Sequence, residues 1–166
     1  MKKLILALLM LAPMAASAQG KFGHVNTQEI MQAMPEYNKA RTDLEALQAQ
    51  YEDDLKTMID ELQKKGEAFE KEKETLPENI KQRREQELMD MQAKIQQSSQ
   101  DNSQALNKAY QEKMQAITTK LLDAIKAVGQ EGGYIYIMDM TNGIPYISTT
   151  LSTDVTAQVK TKLGLK

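Results

Sequence analysis

The stretch "KETLPENIKQRRE", residues 73–85, sets Pro77 inside a segment, Thr27 to Gly129, that otherwise reads as helix. Proline in a helix interior removes a hydrogen bond and clashes with the preceding turn, costing about 3 kcal/mol. At the first turn of a new helix it is tolerated, because its missing N–H would have had no partner. Thr75 is placed to cap such a helix, with Glu78 three residues on, as in a capping box. One helix therefore stops and another starts within a few residues, and so short a connection favours antiparallel neighbours. Folding back at Leu76-Pro77 pairs positions whose numbers sum to roughly 153. Leu62 then faces Met91, Met58 faces Ile95, Leu47 faces Leu106, and Leu44 lies near Tyr110.

The apolar pattern supports that reversal. Before Pro77 it runs Tyr37, Ala40, Leu44, Leu47, Tyr51, Leu55, Met58, Leu62, Phe69 and Leu76, mostly at steps of three and four. That is a coiled-coil seam with a stutter near Tyr51. After Pro77 it resumes as Ile80, Leu88, Met91 and Ile95, then returns as Leu106, Tyr110, Met114, Ile117, Leu121, Ile125 and Val128. Between these two runs, QQSSQDNSQ (96–104) has no apolar residue and makes a weakly held waist. At 1.5 Å per residue, about 40 residues give an arm of roughly 60 Å. Pro35 marks a short first helix or a bend, and Gly129 with Gly132-Gly133 ends the second long helix.

The two ends read differently. KFGHVN (21–26) is a short strand candidate, with Phe22 and His24 on one face and Gly23 and Val25 on the other. In YIYIMDMTNGIPYIS (134–148), Tyr134, Tyr136 and Met138 alternate with Ile135 and Ile137. Asn142-Gly143 is a hairpin-turn dipeptide, and Pro145 puts the return strand at an edge or a bulge. Ser152-Thr153-Asp154 offers caps to a last helix, striped by Val155, Val159 and Leu163 and closed by Gly164. The expected architecture is mostly α with a small β body. A β-rich body takes 19–34 and 130–166, and a long antiparallel helical hairpin takes 35–129, its tip near 75–78. Sheets this small are not stable alone, so oligomerisation is expected to supply neighbours.

MKKLILALLMLAPMAASAQG opens the chain with a charged n-region, an apolar run too short to span a bilayer, and the small-residue site Ala16-Ser17-Ala18. Residues 1–18 are therefore expected to be a cleavable signal peptide, and the product to be exported. There is no cysteine, hence neither a disulfide framework nor a lipoprotein attachment site. Removing Lys2 and Lys3 from the 21 basic residues leaves 19 against 23 acidic ones, a formal charge of −4. That balance argues against nucleic acid as a partner.

No enzyme signature is present: no G-x-S-x-G, G-x-G-x-x-G or P-loop, no cysteine nucleophile and a single histidine. His24 lacks nearby partners for catalysis or metal binding and is expected as a strand residue of the body. Glu52-Asp53-Asp54 lacks a shaped loop and is expected as a solvated helix face. Neither a metal nor a cofactor is implied.

The order of elements carries a resemblance. A signal peptide, "KFGHVNTQEIMQAMPE", a long helical hairpin, then "GGYIYIMDM" and a small strand–helix end together resemble the Skp/OmpH family of periplasmic chaperones, over essentially the whole mature chain. The resemblance implies a homotrimer, with strands from both chain ends forming a β-barrel body and three arms enclosing a cavity. Unfolded outer-membrane proteins would be held there without ATP. Phe22, Val25, Ile135, Ile137 and Ile147 are the candidate residues of the trimer body, and Met58, Phe69, Leu76, Ile80 and Met89 the candidate client contacts. Family members are known for basic arms linked to acidic lipids and lipopolysaccharide. Here Glu36–Glu74 holds 12 acidic and 7 basic residues, and Glu78–Gly129 holds 7 and 8, so lipopolysaccharide or membrane binding is not carried over. The alternative reading is an exported coiled-coil scaffold of the envelope that holds no clients. The interrupted seam tilts against it, since a spacer benefits from an unbroken one.

Overall fold

The computed structural model describes residues 20–165, so the expected signal peptide, 1–18, lies outside the described residues. In chain order the elements are β1 (Lys21–Val25), α1 (Thr27–Ala33), α2 (Pro35–Glu72), α3 (Glu78–Gly132), β2 (Tyr134–Asp139), a 3-10 turn (Met140–Asn142), β3 (Ser152–Asp154) and α4 (Thr156–Lys162). Among the described residues, 20–38 together with 116–165 form one compact unit, and Lys39–Gln115 form the other.

Within Lys39–Gln115 the chain reverses at the proline. Lys73 N–H donates to Phe69 O at 2.8 Å and Thr75 N–H to Glu72 O at 2.9 Å, closing α2. Pro77 O then accepts from Ile80 N–H at 2.9 Å and Lys81 N–H at 3.0 Å, opening α3. Thr75 does not cap the new helix as expected. Its hydroxyl donates back to Glu72 O at 2.8 Å and finishes the old one. Antiparallel packing follows from ion pairs across the two helices: Asp43 with Lys113 and Glu72 with Arg84, each at 2.9 Å, and Lys65 with Glu87. These lie within three residues of the expected register.

Every seam residue named on α2, from Tyr37 to Phe69, is buried or half-buried, as is Leu76 in the turn, and Gly66 and Lys73 fill the two seven-residue steps. On α3 the seam differs at one place. Tyr110 points outward, 56% exposed, and the half-buried Ala109 takes its position. Steps of three and four from Leu106 to Ile117 run through Ala109 and Lys113, which is half-buried and pairs its ammonium with Asp43. Through the waist α3 stays helical, with Ser98 and Asn102 half-buried on the seam.

In the other unit, β1 is the central strand of a three-stranded sheet ordered β2-β1-β3, parallel on both sides. The expected hairpin at Asn142-Gly143 is not formed. A type I′ turn needs positive φ at both central residues, yet among the described residues only glycines have it. Gly143, at φ 72°, instead ends the 3-10 turn. Residues 140–151 carry the chain past β1 to its far side, where Ser152–Asp154 pairs as the third strand, and Asp154 Oδ1, as one of the expected cap oxygens, accepts from Thr156 N–H at the start of α4 at 2.9 Å. Ile147 therefore lies in this connection and not on a strand.

A bulge also overrides strict alternation in β2. Lys21 pairs with Tyr134 but Phe22 with Tyr136, leaving Ile135 over. The skipped residue moves Tyr134 to the core face beside Ile137 and leaves Tyr136 and Met138 on the other face. α3 runs three residues past Gly129 to Gly132, and Gly133, at φ 66°, makes the left-handed exit.

The core joins Val25, Ile30, Leu121, Ala124, Val128, Val155 and Val159. Val155 and Val159, two of the three residues of the expected α4 stripe, are fully buried, and Leu163 packs against them. Asn26 Oδ1 accepts from Glu29 N–H at 3.0 Å and caps α1, aiming Ile30 into this core. With Ile30 at 0% exposure, Ile30→Ala should cost about 2–5 kcal/mol, read as a lower urea midpoint with an unchanged slope. An unshifted midpoint would contradict the core assignment.

Candidate functional site

The sheet buries only one face in the core. On the other, Phe22 and Tyr136 are register partners with ring centroids 4.9 Å apart. They line a groove with His24, Met138, Ile144, Tyr146, Ile147 and Leu151. Tyr146 is 79% exposed and Leu151 74%, and at the bulge Ile135 is 65% exposed. Contiguous exposed apolar surface of this kind marks an interaction face. Both outer strands, β2 and β3, are sheet edges, which leaves backbone groups open to pairing.

The residues nominated for the body divide between these two faces. Phe22 and Ile147 line the groove, Ile135 is exposed at the bulge, Ile137 packs against the core, and Val25, 1% exposed, belongs to the core itself. Val25 thus supports the sheet from inside the chain's own core. Polar bonds fix the strand ends. Asp139 accepts from Thr27 Oγ1 at 2.6 Å and from Thr141 N–H at 3.0 Å and Oγ1 at 2.8 Å, tying β2 to α1. Burial pushes its pKa up, but these donors outweigh burial and hold it below the usual value. Asp154 is likewise lowered against burial, by the Thr156 side chain and by its N–H at 2.9 Å. His24 Nδ1 lies 2.8 Å from Ser152 Oγ.

On the hairpin, Met58, Leu76 and Ile80 are half-buried and Phe69 is buried, at 7% exposure. Phe69 and Leu88 sit in a cleft with Lys65, Arg83, Arg84 and Glu87. Met89 is separate, off the seam and 59% exposed. The five nominated arm residues therefore do not form one surface. Three exposed apolar residues of the two long helices were missed, Ile59 at 49% and Tyr110 and Leu122 each at 56%. Ile59 is readable as an off-seam apolar residue following Met58. Tyr110 is hidden by the habit of giving seam positions to the larger apolar residue. Among the described residues no three His, Cys, Asp or Glu gather as metal ligands, and no helix is long and apolar enough to cross a membrane.

Residues 21–163 match the family model described as Outer membrane protein (OmpH-like). The chain is 32% identical to a protein of Yersinia enterocolitica named Chaperone protein Skp, covering 96% of this chain and all of that one. It is 25% identical to the protein of the same name from Pectobacterium atrosepticum, over 93% of this chain and 94% of that one. The crystal structure of a candidate outer membrane chaperone (OmpH-like) from Caulobacter crescentus CB15 superposes with a TM-score of 0.75 at 14% identity. It covers 88% of this chain and 85% of that one, a likeness of fold.

Ion pairing sets a pH dependence. Hydrogen bonds from Lys120, Lys113 and Lys65 hold the carboxyls of Glu36, Asp43 and Glu87 below their usual values. A carboxylate lowered in the folded state stabilises at neutral pH, and that stabilisation is lost as pH falls through its folded value. The thermal midpoint by circular dichroism should therefore drop between about pH 5 and about pH 3, modestly because the pairs are exposed. A midpoint that rises over this range would contradict the assignment.

Proposed function

We propose that this chain, which belongs to the OmpH-like outer membrane protein family, is an exported, periplasmic holdase. It binds unfolded outer-membrane β-barrel proteins without ATP, inside a cavity between the arms of a homotrimer, and prevents their aggregation before insertion. The observation that carries this reading is the end-to-end match to chaperone relatives on the same hairpin-and-sheet fold. The uncovered apolar groove and the two open edges of a three-stranded sheet supply a physical motive for self-association.

Client holding on such an arm rests on many weak, exchanging contacts. Met89, Ile59 and Tyr110 are exposed apolar points on an otherwise polar surface, and methionine suits irregular partners. Met58, Phe69, Leu76 and Ile80 have the hairpin seam to fill first and serve clients by keeping the arm intact. Affinity then scales with the number of arms engaged rather than with any one residue.

Dilution of a urea-unfolded outer-membrane barrel protein into buffer tests this by light scattering. A few trimers per client should suppress the scattering, and light scattering of the chaperone alone should give three times the chain mass. Met89→Ser with Ile59→Ser should leave that mass unchanged and require several-fold more protein for equal suppression. A monomeric mass at micromolar concentration, or undiminished aggregation, would contradict the reading.

A further inference from the structure

The two edges of the hairpin carry different chemistry. Between Leu88 and Ala109 the seam of α3 consists of seven half-buried residues, three or four apart. A residue just before a seam position and one just after it lie about 100° to either side, so the two sets form opposite edges. The preceding positions are charged in five of seven cases, Glu87, Asp90, Lys94, Asp101 and Lys108. None of the seven that follow is charged: Met89, Gln92, Gln96, Ser99, Ser103, Asn107 and Tyr110, all of them exposed. Because α2 runs the opposite way, its own following residues fall on the same edge, and Ile59, next after the half-buried Met58, is one of them. The ion pairs across the hairpin keep to the other edge. Lys65 and Glu87, Glu72 and Arg84, and Asp43 and Lys113 each directly precede a half-buried residue.

We infer that the uncharged edge is where an arm holds its client, as an extended segment bound through peptide groups and apolar side chains rather than through charges. The inference rests on the holdase reading and adds to it which face of the arm is used. From Met89 to Tyr110 the edge runs about 32 Å along α3, room for roughly ten residues of extended chain. A membrane-spanning β-strand has about that length, 9–11 residues. Before insertion such a strand carries unpaired backbone N–H and C=O groups, which template aggregation. Glutamine amides and serine hydroxyls both donate and accept. Within the chain no hydrogen bond engages the side chains of Gln92, Gln96, Ser99 or Ser103 among the described residues. Apolar side chains of the strand find Met89, Ile59 and Tyr110 on the same edge. A charge there would lose its water under an apolar segment, at a cost, and its absence lets the edge take strands of differing sequence. QQSSQDNSQ, which gives the seam no apolar residue, has its use on this edge.

The full chain with Gln92→Glu, Gln96→Lys, Ser99→Glu and Ser103→Lys places charges on this edge without changing the net charge, as i,i+4 pairs in the order that favours helix. Circular dichroism and light scattering check its helix content and mass. In the urea-dilution assay this quadruple variant should need several-fold more protein than the unaltered chain for equal suppression. Lys94→Gln with Asp101→Gln, on the other edge, should need no more. If the quadruple variant misfolds, single cysteines decide the matter, since the chain has none of its own. A benzophenone photo-crosslinker on Ser99→Cys should capture several-fold more client than one on Asp101→Cys. Undiminished aggregation with the unaltered chain would remove the holdase reading and this inference with it. Where the unaltered chain does suppress aggregation, equal suppression by the folded quadruple variant would overturn the edge assignment alone. So would equal or reversed crosslinking at the two cysteine sites, or crosslinks from Ser99→Cys to a second copy of the chain in place of client.

Discussion

A proline cannot sit in the interior of a helix without losing a hydrogen bond and meeting the preceding turn, and everything else in this chain is arranged around that constraint. At Pro77 the backbone closes one helix with the Thr75 bonds to Glu72 O and opens the next from the proline's own carbonyl. Reversal there lets two long amphipathic stripes, neither able to bury its apolar side alone, bury it against each other. Ion pairs at Asp43–Lys113, Lys65–Glu87 and Glu72–Arg84 set the register. They lie at the hairpin's edges, where their energetic contribution is small and their geometric specificity is the useful part.

The same reversal returns the chain so that Tyr134–Asp139 can pair with Lys21–Val25, more than a hundred residues earlier. Because both partners run parallel to β1, no tight turn joins any two strands of the sheet, and each connection is a crossover. The result is a small sheet with one face closed by α1, α3 and α4 and one face left apolar and open. A chain built this way has a reason to associate, and its relatives by sequence are chaperones.

Much of this was legible in the sequence because it depends on local spacing. The seam residues of α2, the break before Pro35, the reversal at Leu76-Pro77, the strand at Phe22–Val25 and the stripe of Val155 and Val159 all follow from periodicity and turn chemistry. What escaped depends on partners far along the chain. Asn142-Gly143 has hairpin chemistry, but a third strand on the far side of β1 wins through β1's unpaired edge. The bulge at Ile135 swaps the face of Tyr134, which no alternation count reveals. His24 looked isolated because Met138 and Asp154, beside it in the sheet, lie more than a hundred residues away. On the arm, Met89 was readable as off-seam, whereas the outward turn of Tyr110 follows from Lys113 taking a seam place to reach Asp43.

The reversal itself is open to a direct distance measurement. Because the chain has no cysteine, Asp43→Cys with Lys113→Cys takes two spin labels and no others, diluted with unlabelled chain so that each pair is read within one molecule. With partners on adjacent helices, whose axes lie about 8–10 Å apart, the electron–electron distance should be on the order of 20 Å. A continuous kinked helix would separate the same positions by roughly 105 Å, and a distribution lacking the short distance would contradict the hairpin and all that is built on it.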